Sequence, residues 1–228
     1  MKKVLIIAAH PDDDILGCGG LMSKYKGQVE FKVIFIAEGS SCRFAPEEIK
    51  SEKVQKIIEE RNNFGVEALK LLGVSNYKFY NLPCGRLDQV PIIEINKIIE
   101  GEIKEFRPDT IFTHSFEDTN NDHIIVHRAT QMATRPGSQF FVEALYTYEV
   151  LSSSEWRFTH GFLPNYFESL KEENVRDKWL ALAEYESEIK PFPYPRSEEG
   201  IFTAAKQRGL QSANMYSEAF KLIRKIKN

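Results

Sequence analysis

The sequence predicts an α/β fold, a three-layer sandwich with a mostly parallel central sheet and an elaborated C-terminal third. Two observations carry that expectation. Short apolar runs of strand length alternate with longer segments of helical period through the first two-thirds of the 228 residues, the pattern of successive right-handed β–α–β crossovers. Two of those runs, VLIIAA and VIFIA, are apolar almost without interruption, which suits central strands covered on both faces.

In order along the chain, VLIIAAH (residues 4–10) is the first strand, and the glycine-rich stretch after it opens a helix near 15–26. FKVIFIA (31–37) is the second strand. The charged segment 46–72 places Val54, Ile57, Ile58, Phe64, Ala68, Leu71 and Leu72 near one helical face. YKFYNL (77–82), IIEINKIIEGEIKEF (92–106) and TIFTHS (110–115) continue as strand, helix and strand, and QFFVEALYTYEV (139–150) is a fifth strand. Beyond it the texture changes. SSSEWRFTHGFLPN is loop-like, and VRDKWLALAEYESEI predicts a helix that packs through Trp179, Leu182 and Tyr185. PFPYPRSEEG is a proline-rich connector, and SEAFKLIRKI reads as a closing helix docked on the sheet. With no internal repeat or low-complexity tract, residues 1–228 are expected to form a single Rossmann-like domain.

Composition narrows the function. The 30 basic residues are interspersed among 33 acidic ones for a net charge of -3, so no basic stripe is expected to track nucleic acid. No segment approaches the roughly 18–20 apolar residues of a membrane span. The apolar start runs into His and Asp instead of a small-residue cleavage site, so a cytoplasmic protein is expected. Cys18, Cys42 and Cys84 are odd in number and scattered; they read as small packed residues, not as a disulfide framework or thiolate metal site.

The unusual feature is where the acids and histidines fall. His10-Pro11-Asp12-Asp13-Asp14 follows the first strand directly, and THSFEDTNNDHIIVH follows the fourth. Four of the five histidines, His10, His114, His123 and His127, therefore sit at two strand exits, with Asp118 and Asp122 beside them. Ligands of open parallel sheets gather at the carboxyl ends of strands. Imidazole with carboxylate is the donor set of a catalytic divalent metal, and a cation neutralises aspartates that would otherwise repel one another. Zinc suits such a set best, with iron, cobalt and manganese also admitted by mixed N/O ligation. Pro11 and the glycines after it imply a tight strand exit, which lets adjacent aspartates face different ways.

AAHPDDDILGCGG resembles the AHPDDE-type signature of the PIG-L/LmbE family of zinc-dependent N-deacetylases, which act on N-acetylglucosaminyl compounds and related acetamido sugars. The DxNxDHxxVH stretch from Asp118 to His127 is similar to that family's second motif, and EERNNFGVEALKLLGV, FYNLPCGRLD and SEAF also look familial. The resemblance implies His10, Asp13 and His123 as metal ligands and Asp12 as general base, activating metal-bound water against the acetamide carbonyl. The chain departs from the pattern twice: Asp14 stands where Glu is common, and Asn120 where many members have a catalytic His. The second departure leaves the general acid to His114 or to the metal itself.

Asp122 reads as a carboxylate that orients a ligand, and His127, one helical turn after His123, as a residue that packs beside the site or hydrogen-bonds a ligand. Arg43, after the second strand, is a candidate for holding a substrate hydroxyl or phosphate. Asp14 and, by resemblance, Arg196 are grouped with it on the substrate side. The substrate expected is a small acetamido sugar or conjugate, and a homo-oligomer is compatible with the family. An esterase or phosphoesterase using the same metal is the rival enzyme. A receiver-like module is the rival non-enzyme, disfavoured because magnesium prefers oxygen ligands to imidazole.

Overall fold

A computed structural model describes residues 1–137 and 140–227. Its elements run β1 (Lys3–Ala8), α1 (Asp13–Lys24), β2 (Glu30–Ala37), α2 (Glu52–Leu71), β3 (Asn76–Leu82), α3 (Ile92–Phe106), β4 (Thr110–His114), α4 (Asn121–Ala133), β5 (Ala144–Tyr148), β6 (Tyr166–Leu170), α5 (Glu172–Ala183), α6 (Glu198–Ser212) and β7 (Tyr216–Lys225). One sheet takes the order β3-β2-β1-β4-β5-β7-β6. The β3-β2-β1-β4-β5 block is parallel, and β7 pairs antiparallel with both β5 and β6. The chain winds outward from β1 through β2 to β3, then returns to β4 on the other side of β1. That reversal leaves a crevice at the carboxyl ends of β1 and β4, the position where open α/β sheets place ligands.

The uninterrupted apolar run of β1 is explained by two cores. Val4, Ile6 and Ala8 face the layer that contains α1 and α5, while Leu5, Ile7 and Ala9 face α3 and α4. Each of these residues is fully buried, and each large aliphatic among them stabilises the fold by roughly 1.5–3 kcal/mol. On the first face, Gly17 lets α1 lie against the sheet: a Cβ there would fall 2.2 Å from Cδ2 of Tyr148 on β5.

The C-terminal third differs from the sequence reading. SEAFKLIRKI is the strand β7, not a helix, because it fills the slot between β5 and β6, pairing with β6 over Tyr216–Phe220 and with β5 over Phe220–Lys225. YFESL, between the expected loop and the expected helix, is the edge strand β6, and α6 starts inside the proline-rich connector, capped by the Ser197 side chain accepting from Gly200 N–H. The strand expected over 139–150 is Ala144–Tyr148; its expected first residue, Gln139, lies outside the described residues. Among the described residues, no helix is long and apolar enough to cross a membrane.

Candidate metal centre

The exit from β1 is a sharp turn. Asp12 has φ 115, a left-handed conformation that residues other than glycine rarely adopt, and it occupies the N-cap position of α1 without a side-chain capping bond. The turn sends neighbouring carboxylates in different directions. Asp13 Oδ2 points to the histidines: it lies 3.3 Å from His10 Nδ1, 3.3 Å from His123 Nε2 and 3.5 Å from His114 Nε2. Asp12 Oδ2 instead meets two guanidinium groups, Arg196 Nη1 at 2.5 Å and Arg61 Nη2 at 3.0 Å. Asp14, one further helical step on, is turned into the protein and fully buried, and neither of its carboxylate oxygens has a hydrogen-bond partner among the described residues. Burial pushes its pKa up to about 8.

The second loop completes the cluster. His123 enters from the first turn of α4, where Asn120 caps the helix by accepting from Asp122 N–H at 2.9 Å. Asn120 is thus tied to the helix start. Ligand atoms of His10, Asp13 and His123 all lie within 4.8 Å of one another, and all three residues are buried. Both ring nitrogens of His123 lack a hydrogen-bond partner among the described residues. His10 Nδ1 and His123 Nε2 converge on one buried oxygen of Asp13, each at 3.3 Å, and that donor set fits a cation held by the three side chains.

Carboxylates behind the rings fix their orientation. Asp122 Oδ2 lies 3.0 Å from His10 Nε2 and accepts Gly85 N–H at 2.6 Å, while its Oδ1 accepts Leu87 N–H at 3.2 Å. Asp118 Oδ2 lies 3.2 Å from His123 Nδ1; the same carboxylate accepts from Asn120 N–H at 2.8 Å, Ser154 Oγ at 2.6 Å and Ser153 Oγ. Burial works against charge on both rings, yet Asp122 and Asp13 raise His10 to about 9, and Asp13 and Asp118 raise His123 to about 10. Three buried carboxylates demand positive charge at one point. A second trio, His10, Cys84 and Asp122, also brings its ligand atoms within 4.8 Å. Its Asp122 already accepts two backbone N–H groups and contacts His10, so it reads better as the support of His10.

His114 is in the cluster but behind it. Its ring is fully buried and stacks on His123 with centroids 4.0 Å apart. Its Nε2 accepts Ala9 N–H at 2.7 Å, and burial together with His123 holds its pKa well below the usual value. His127 Nδ1 lies 2.8 Å from the His114 carbonyl oxygen, so it braces the strand end on which His114 sits. Arg43 and Arg196 gather with Asp12: Arg43 donates to Glu188 at 2.6 Å, and Arg196 bridges Asp12 and Ser152 Oγ, the latter at 2.6 Å. Arg61 joins Glu188, Asp12 and the Pro11 carbonyl, with the last at 2.9 Å. Burial raises the Asp12 pKa above its usual value, and Arg196 and Arg61 oppose that rise.

Sequence reasoning did not single out Arg61 or Glu188, read Cys84 only as a packed residue, and did not assign Asp118 its work on His123. Cys42, expected to be packed, is exposed.

Fold and site together define a class: an α/β protein with a buried His–Asp centre where the winding of its parallel strands reverses. The family model described as PIG-L, GlcNAc-PI de-N-acetylase, matches residues 5–134, and the chain belongs to that family. It is 28% identical over 195 residues to the uncharacterized deacetylase YaiS of Escherichia coli K12, covering 82% of this chain and 91% of that protein. It is 26% identical over 155 residues to 1D-myo-inositol 2-acetamido-2-deoxy-alpha-D-glucopyranoside deacetylase of Thermomonospora curvata, covering 58% of this chain but only 52% of the relative's length. Among solved structures, N,N'-diacetylchitobiose deacetylase of Pyrococcus horikoshii superposes with a TM-score of 0.75 at 19% identity, over 97% of this chain and 84% of the other. The 4-carboxy-2-hydroxymuconate hydratase GalB of Pseudomonas putida KT2440 also reaches 0.75, at 18% identity, over 100% of this chain and 99% of the other. The fold therefore does not choose the reaction, and the site must.

Proposed function

We propose that this chain is a metal-dependent N-deacetylase that hydrolyses the acetamide of a small amino-sugar compound. The observation that carries this reading is the meeting of His10, Asp13 and His123 from two distant loops, in a chain whose family and curated relatives are described as deacetylases. The three side chains would hold zinc, the ion that mixed imidazole and carboxylate donors suit best, with iron, cobalt and manganese as the next candidates. When bound, such an ion supplies Lewis acidity, polarising a carbonyl and making water acidic near neutral pH.

Asp12 is the proton carrier in this proposal. Arg196 and Arg61 hold its carboxylate beside the metal ligands, ready to take a proton from the attacking water and return it to the departing amine. His114 acts by buttressing His123, since its Nε2 is engaged by Ala9 and burial disfavours its protonated form. Asp12 then serves as base and acid in turn, which answers the absence of a histidine at position 120. Asp118 and Asp122 fix the two ligand imidazoles. Arg43, half exposed beside Glu188, would bind substrate hydroxyls. An acetamido sugar as substrate is supported by the family description and by the curated relative that acts on an acetamidoglucopyranoside.

Asp12→Asn tests the reading. It should retain one metal per chain while acetate release from N-acetylglucosaminyl compounds falls by at least a hundredfold. Turnover within a few-fold of the unsubstituted protein would remove Asp12 from the reaction. Release of phosphate or of an ester-derived acid, without acetate release from any acetamido sugar, would favour the rival hydrolases.

A further inference from the structure

Two cysteines far apart in sequence meet at the edge of this centre. Cys42 lies in the short turn after β2 and Cys84 in the loop after β3, the neighbouring strand. The two loops are tied together twice. The buried Glu38 carboxylate accepts Ser40 N–H at 2.6 Å and Ser41 N–H at 2.9 Å from one loop, and Cys84 N–H at 2.8 Å from the other. The Arg86 guanidinium donates to the carbonyls of Ser41 at 3.4 Å, Phe44 at 3.1 Å and Cys84 at 3.3 Å. Gly85, at φ +70, keeps the contact close: a Cβ there would fall 2.9 Å from Cys42 Cβ. Cys42 is exposed and Cys84 buried, and the Cys84 sulfur lies within 4.8 Å of a His10 nitrogen and an Asp122 oxygen.

We propose that Cys42 and Cys84 are a peroxide-sensitive dithiol that closes to a disulfide on the rim of the metal centre. The exposed sulfur reacts first. The Cys42 thiolate attacks one oxygen of hydrogen peroxide, the O–O bond breaks, and hydroxide leaves, giving a sulfenic acid. The Cys84 thiol loses its proton and attacks the Cys42 sulfur; the S–O bond breaks and water leaves. In sum, two thiols and one peroxide give one disulfide and two waters. Bond formation draws the sulfurs to about 2.05 Å, and Cys84 precedes Gly85, whose N–H holds Asp122 against His10. The disulfide therefore disturbs the support of a metal ligand. This consequence, unlike disulfide formation itself, rests on the metal-centre reading.

The test is titration of the full-length protein with hydrogen peroxide, followed by thiol counting after denaturation and by peptide mass mapping. The free thiols should fall from the three of the reduced chain to Cys18 alone, with a Cys42–Cys84 linked peptide that dithiothreitol removes. Cys84→Ser should leave Cys42 as a sulfenic acid trapped by dimedone, and Cys42→Ser should give no linked peptide. Over-oxidation of Cys42 without linkage, a disulfide between two chains, or thiols shielded by metal until a chelator is added would each overturn the proposal. Zinc competition with a chromogenic chelator should show about tenfold weaker binding by the oxidised form. Equal affinity, with the disulfide formed, would refute the coupling to the centre and leave the dithiol chemistry established.

Discussion

Asp122→Asn is the most instructive change outside the three metal-ligand candidates. The carboxylate meets Gly85 N–H at 2.6 Å, His10 Nε2 at 3.0 Å and Leu87 N–H at 3.2 Å. An asparagine can keep the two shorter contacts by turning its carbonyl towards Gly85 and His10. Its amide NH2 then faces the Leu87 N–H, donor against donor. One buried N–H left without an acceptor costs about 1–3 kcal/mol of stability. The lost charge also weakens His10 as a ligand, because nothing else described at Nε2 increases its basicity. Outer carboxylates of this kind contribute about 10–100-fold to metal affinity, or roughly 1.4–2.8 kcal/mol at 1.4 kcal/mol per decade. Urea denaturation measures the first effect, and competition between the protein and a chromogenic zinc chelator the second. A zinc affinity within twofold of the unsubstituted protein, with the fold intact, would refute the claim that Asp122 works through His10.

Glu188 gives an acid-stability signature. Burial alone would raise its pKa, but Arg61, Arg43 and Arg196 hold it down at about 2, against an ordinary 4.5. A depressed carboxylate contributes stability that is present above pH 4.5 and is lost as the pH falls towards 2. Urea midpoints taken through that window should drop more steeply for the unsubstituted protein than for Glu188→Gln, and parallel slopes would contradict the assignment. Gly17→Ala would drive a methyl to 2.2 Å from the Tyr148 ring, an overpacking cost of about 1–3 kcal/mol. Since the Tyr148 hydroxyl lies 3.3 Å from His114 Nε2, thermal unfolding and activity should both suffer; an unchanged melting temperature would show that α1 can shift freely.

What the sequence revealed, and what it hid, has a physical pattern. β1 was legible because each of its residues from Val4 to Ala8 is buried against one of two cores, so no polar position interrupts the run. The helix over 92–106 has the bounds expected from periodicity alone, since α3 is amphipathic and faces solvent on one side. The His/Asp loops stood out because composition is conspicuous at a strand exit. β7 misled because Phe220, Leu222 and Ile223 satisfy more than one period, and only pairing with β5 and β6 selects the strand. Arg61 and Glu188 were hidden for a different reason. A charge on a long helix reads as solvent-facing, yet the Arg61 side chain is 6% exposed beside a partner 127 positions away. The Cys42–Cys84 contact likewise depends on β2 and β3 being neighbours, which no local pattern states.

The account stands or falls on where a cation binds. Anomalous scattering at the zinc edge, from crystals grown with zinc, should show one strong peak about 2.0–2.2 Å from a nitrogen of His10, a nitrogen of His123 and an oxygen of Asp13. A peak seated instead between Cys84 and Asp122, or none within reach of His123, would contradict it.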